Sequence, residues 1–390
     1  MNDKFQIPAG AKTASILLIV VGLVSLIGGI FIYHDDMPRV WANLLLDSTF
    51  YLGLTIGTLF FICANYVAWG GWNVVLKRVP EAIIGNLPVA AVIFLLIFIF
   101  GHSTLYPWTN SDEVAANPIL QGKQGFLNIP FFLVRFAGFV GLFIFIGYTL
   151  RKASLLEDQD PDVKYYRTGT KWSSIFLVFY AVYICTSSWD YLMSTDPEWY
   201  STMFGWQNWA GYWVSALAAI TLVIIYLKSK GYLAEVTKEH LHVMGILMFA
   251  FSVFWTYVTF DQFMLIWYAN LPEETIYFRQ RYDHYSLLFG SIWVLNFIAP
   301  FLILMRNTEK EKPRVLTIAC IILLGGHFID FFLMVFPSVM KNTGTIGWLE
   351  IGMPCLFIGL FIYTTMMQLT KAATVPKNHP FLNESLHFRA

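Results

Sequence analysis

Apolar stretches follow one another along the whole chain, separated by short polar segments, and each is about as long as a bilayer is thick. About twenty apolar residues span a hydrocarbon core as a helix. The pattern predicts ten such segments, at 14–33, 43–68, 83–100, 129–149, 172–193, 209–227, 243–268, 285–305, 315–336 and 347–370. The longest polar connections, Gly101 to Asn128 and Leu150 to Lys171, are too short to fold as independent domains. The first apolar segment has no small-x-small cleavage pattern after it, so it reads as a retained span and not as a signal peptide.

Composition agrees with an all-α integral membrane protein, since 57% of the 390 residues are hydrophobic and 13% are charged. The net charge of zero conceals a strong asymmetry. If both termini lie on one side, nineteen of the 25 Lys and Arg residues fall in loops on that side and five on the other, with Arg135 inside a helix. Positive charge marks the cytoplasmic side, so both termini are expected there. Once the basic residues are assigned to inner loops, no nucleic-acid-binding patch is left. The four cysteines lie within apolar spans without C-x-x-C or C-x-x-C-H spacing, which argues against a disulfide framework, an iron-sulfur cluster, a metal site or covalent haem in this chain.

Three carboxylates interrupt the apolar runs late in each: Asp190 (Ile175 to Met193), Asp261 (Val243 to Tyr268) and Asp330 (Val315 to Phe336). An ionised side chain in the hydrocarbon region costs roughly 2.5 to 3.5 kcal/mol on insertion scales, and it tends to persist where a proton, ion or polar ligand needs it. With the N-terminus inside, these helices run outward, and a carboxylate near an outer C-terminus opposes the helix dipole. Capping therefore does not account for them. Asp47 and Glu350 are placed near outer N-termini, where the dipole favours them and a structural role is expected. Arg135, in the first turns of helix four, is predicted to pair with one of the aspartates.

His327 precedes Asp330 by three residues and shares its helix face, a pairing suited to a proton relay or to a quinone carbonyl. His102 follows helix three on the outer side. A bis-histidine haem would need two such residues facing each other, with His102 and His327 as the only pair, and it is disfavoured. Asp190 and Asp330 each have a proline seven residues on, Pro197 and Pro337, and Asp190 and Asp261 share an aromatic before and a methionine three after. These matches suggest two equivalent four-helix bundles, helices 2–5 and 6–9, with helices 1 and 10 peripheral.

The outer loops are rich in aromatics: DPEWYSTMFGWQNWAGYW at 196–213 and ANLPEETIYFRQRYDHY at 269–285. Trp and Tyr belong at membrane interfaces by default, but this density also suits docking of a partner outside the membrane. Trp199, Tyr200, Trp206, Trp209, Arg279 and Arg281 are the expected docking residues.

The stretches SSWDYLMSTDPEWYSTMFG (Ser187 to Gly205) and FAFSVFWTYVTFDQFMLIWYANLPEETIYFRQR (Phe249 to Arg281) resemble the ActF membrane subunit of the bacterial alternative complex III, and the likeness covers nearly the whole chain. The resemblance implies an NrfD-like fold in the bacterial inner membrane, within a quinol or menaquinol:cytochrome c or high-potential iron-sulfur protein oxidoreductase. It implies as partners a sister ten-helix membrane subunit, periplasmic multihaem cytochrome c and iron-sulfur subunits that carry the haem and clusters, and it admits a terminal oxidase as a further one. On this reading Asp190, His327 and Asp330, with Arg135 as counter-charge, carry over to a quinol-related site or proton pathway. The alternative is a free-standing, ion-coupled secondary transporter using Asp190, Asp261 and Asp330.

Overall fold

In the computed structural model, which describes residues 4–341 and 346–389, ten long helices are long and apolar enough to cross a membrane, and the chain is a multi-pass membrane protein. They are α1 Ala9–Ile32, α2 Met37–Val67, α3 Leu87–Leu105, α4 Ile129–Glu157, α5 Val163–Tyr191, α6 Met203–Ser229, α7 Lys238–Ala269, α8 Pro272–Leu304, α9 Pro313–Met340 and α10 Trp348–Leu369. Each apolar segment read from the sequence falls on one of them, most of which run several residues further. Many of the added residues are polar, and capping side chains set where some of these helices begin. Asn128 accepts a hydrogen bond from the Phe131 amide to open α4, and Asp162 does the same for Lys164 at the start of α5. Asn270 closes α7 in the left-handed conformation (φ 50°), and Pro272 opens α8 immediately after.

Within α8 the helix breaks at Tyr285 (φ −130°) and contains a π-helical turn at Val294–Ile298. The expected start of this span, residue 285, coincides with the break. The turns before it, Pro272 to His284, are too polar to register as an apolar run.

α2 packs on α3, α5, α6 and α9, α4 packs on α5, and α6 and α9 gather α7 and α8 around them. α1 lies along α10 and is otherwise largely exposed. That contact uses small residues, as close helix packing in lipid requires: a side chain at Gly22 would collide with the backbone of Leu356, and one at Gly359 with the backbone of Ser15 and Ile19. The two ends of the described chain meet in an antiparallel bridge between Lys4 and Ala373.

Before α3, residues 74–86 form three short helical pieces that pack inside the molecule. Lys77 and Arg78, expected in a loop, are buried there. Arg78 pairs with Glu81 at 2.8 Å and with Asp158, and Lys77 lies 3.7 Å from Glu157. In the tail that covers this end, His379 is buried, and burial together with the nearby Lys77 and Arg78 pushes its imidazole down to about 2, so it is neutral.

Candidate functional site

Two buried carboxylates are held in contrasting ways. Asp190, at the end of α5, accepts both arms of the Arg135 guanidinium, with Nε to Oδ2 and Nη2 to Oδ1 each at 2.7 Å. This bidentate fork is the strongest geometry available to such a pair. The rings of Phe126 and Phe131 lie 3.9 and 4.1 Å from the guanidinium carbon and shield it from lipid. The predicted pairing of Arg135 with an aspartate is thus found at Asp190.

Asp330, on α9, is 2% exposed and is held by neutral donors: Gln207 Nε2 donates to Oδ1 at 3.1 Å, and Trp255 Nε1 donates to Oδ2 at 3.0 Å. Gln207 reaches it because α6 begins at Met203, well before the apolar run at 209. One turn away on the same face lies His327, fully buried, its ring edge-on to Trp255 at 5.5 Å. Neither His327 ring nitrogen has a hydrogen-bond partner among the described residues.

Further unpartnered polar groups line the same region. Asn296, in the π-helical turn of α8, is fully buried with both amide atoms unpaired, and it occupies the space that a side chain at Gly326 would need. π-turns inside helices often mark functional positions. α7 presents Ser252, Trp255, Thr259 and Gln262 at helical spacing, all buried, and only Trp255 has its side-chain polar group paired. A buried donor or acceptor without a partner costs about 1–3 kcal/mol, so a group of them suits a polar ligand or bound water. Asn296, Gln207 and Gln262 were not singled out from the sequence, although a lone amide within an apolar run, as at Asn296, carries the same cost signal as the aspartates.

Arg281 on α8 reaches the next turn of α9 after Asp330. Its Nε donates to the Leu333 carbonyl at 2.8 Å and its Nη1 to the Tyr277 carbonyl at 2.7 Å, while Nη2 has no hydrogen-bond partner. The guanidinium carbon lies 3.2 Å from the centre of the Tyr277 ring, on which Trp199 stacks at 3.9 Å. Arg281 and Trp199 are therefore not on the outer surface expected of docking residues. The α8 extension before Tyr285 turns Arg281 inward, and Tyr277 takes up the Trp199 ring. Asp196, in the connection between α5 and α6, is raised above the usual carboxylate range by burial, against the opposing charge of Arg281.

The other docking candidates divide. Tyr200, Trp206 and Arg279 are exposed, Arg279 beside Asp283 at 3.4 Å, whereas Trp209 is half-buried against Phe60, Phe251 and Phe254. Asp261 is half-buried on α7 among the exposed Tyr257, Phe260 and Leu265 and stands outside both carboxylate sites. The His102 ring lies against Phe98 on α3, whereas that of His327 lies against Trp255. Asp47 is the eleventh residue of α2, which begins at Met37, so it lies beyond the reach of the N-terminal dipole. Glu350 does sit at a helix start: it accepts from the Gly347 amide at 2.7 Å and pairs with Arg39 at 2.7 Å.

No group of three or more His, Cys, Asp or Glu side chains comes together as a metal site among the described residues. No protein-family model matches the chain, and no curated protein matches it significantly.

Proposed function

We propose that this chain is a membrane subunit, without a redox centre of its own, of a quinol:cytochrome c or high-potential iron-sulfur protein oxidoreductase in the bacterial inner membrane. It anchors periplasmic redox subunits beside a sister ten-helix subunit and handles quinol or its protons on the periplasmic half. In this reading helices 2–5 and 6–9 form two four-helix bundles with α1 and α10 peripheral, and both termini are cytoplasmic.

The observation that carries the proposal is the Asp330 site. A carboxylate fixed by Gln207 and Trp255, with His327 one turn away and free at both nitrogens, can take up and pass on a proton. Arg281 reaches α9 at the Leu333 carbonyl, one turn from Asp330, and two of its nitrogens are spent on backbone carbonyls. Asp330 and His327 are the residues that move the proton, Gln207 and Trp255 hold the carboxylate in place, and the Arg135–Asp190 pair holds α4 to α5. The exposed Tyr200, Trp206 and Arg279 offer an outer surface for a partner.

The test is purification from native membranes followed by Asp330→Asn, which keeps the shape and removes the titratable proton. Multihaem and iron-sulfur polypeptides should co-elute, and the variant should assemble normally while quinol-dependent cytochrome c reduction, or the proton release coupled to it, falls at least tenfold. A chain that elutes alone and shows substrate-driven ion flux would establish the secondary-transporter alternative instead.

A further inference from the structure

A cavity of about 670 Å³ lies between the α1/α10 pair and the faces of α2, α6 and α9. Its walls are almost wholly apolar, among them Phe50, Leu222, Phe328, Phe357 and Ile362. That volume lies within the range of small-molecule sites, about 300–1,000 Å³. Apolar walls facing a void lose their dispersion partners, and water gains few hydrogen bonds from them.

The polar side chains of this lining are Ser15, Tyr51, Thr365, Asp47 and Tyr226, the last with the Lys230 ammonium 5.8 Å from the centre of its ring. The first three are engaged within the protein: Ser15 donates to the Lys12 carbonyl, Tyr51 donates to Asn86, and Thr365 accepts from Asn86. Asp47 differs. It is 2% exposed, and its Oδ2 has no hydrogen-bond partner among the described residues. Its neighbour Asn43, one turn away, is already committed to Glu350 at 3.0 Å.

Depth narrows the ligand class. Asp47 is the fifth residue of the apolar run that starts at 43, about 6 Å into a hydrocarbon core about 30 Å thick at 1.5 Å per residue. A phospholipid head carried to that depth would add charge where charge is expensive. A neutral head that donates one O–H bond would satisfy Asp47 while its chain fills the apolar walls.

We propose that this cavity binds an uncharged long-chain amphiphile whose head hydroxyl donates to Asp47. The site is separate from Asp330 and does not rest on the function proposed above. Two sources share the chemistry, a prenylated hydroquinone and a neutral glyceride or protonated fatty acid.

Gly325 provides a clean probe, because it lines the cavity and a Cβ added there meets nothing within 4 Å. The protein, with whatever co-purifies, is taken from native membranes in mild detergent, and its retained lipids are extracted and identified by mass spectrometry. We expect one neutral amphiphile per chain in the wild type, at least a tenfold loss in Gly325→Trp, at least a fivefold loss in Asp47→Leu, and retention in Asp47→Asn. The identity of the molecule decides between the two sources. Equal retention in all four proteins, or retention of charged phospholipid alone, would overturn the proposal, and Asp47→Leu keeps it open to refutation should Gly325→Trp fail to fold.

Discussion

Asp190 and Asp330 end equivalent-looking stretches of sequence, yet one is neutralised by a fork of two 2.7 Å bonds from Arg135 while the other rests on the neutral Gln207 and Trp255. A cation is close to both. Arg281 on α8 stands toward α9 much as Arg135 on α4 stands toward α5, but Arg281 spends its donors on the backbone carbonyls of Leu333 and Tyr277. The helices differ as well: α5 stops at Tyr191, ahead of Pro197, whereas α9 continues past Pro337 to Met340. The same ingredients thus produce a closed ion pair, suited to holding helices together, and an open carboxylate beside a free imidazole, suited to proton chemistry. The physical difference lies in where the cation's donors point. A paired buried charge is a fastening, and an unneutralised one remains responsive to its surroundings.

The largest effect is expected at the closed pair. Arg135→Gln strands Asp190 without its cation at a cost of about 3–5 kcal/mol. Thermal unfolding in detergent should show a severely destabilised subunit, and adding Asp190→Asn should recover most of the loss. A silent Arg135→Gln would reduce the pair to a surface contact and end the comparison.

Arg281→Gln should cost less, about 1.5–3 kcal/mol, since it removes charge-assisted bonds to two carbonyls and leaves no carboxylate bereft of a direct partner. If the chain works in the redox complex proposed above, the change should also alter how the rate of that complex depends on pH, because it removes a cation held one turn from Asp330. If it destabilises as strongly as Arg135→Gln with no change in that profile, both arginines are fastenings.

The smallest effect is expected from Trp255→Phe, which deletes one of two neutral donors to Asp330 at about 1 kcal/mol. The fold should survive, and quinol-dependent activity should fall more than stability does. Equal losses in Trp255→Phe and Arg135→Gln would show that Asp330 is as structural as Asp190.

Much of this was legible along the chain. The ten spans follow from apolar length alone, because a bilayer penalises every unpaired backbone group and leaves a helix as the low-cost way across for such a segment. The anomalous carboxylates, His327 one turn from Asp330, and the call for an anion near Arg135 follow from the cost of buried charge. What the sequence could not decide is which groups meet across helices. Arg281 and Trp199 read as surface residues from their polar, aromatic loops, and only the extended α8 turned Arg281 toward α9 while Tyr277 drew in the Trp199 ring. Gln207, Trp255 and Asn296 gained their meaning from facing α9, and Asp47 from lining a cavity that exists because α1 and α10 stand off the faces of α6 and α9. Hydrophobic length is a local property that each segment carries alone, whereas the choice between an ion pair and an open carboxylate depends on donor directions set by helix rotation, a kink at Tyr285 and a π-turn at Asn296, which arise only when the helices pack.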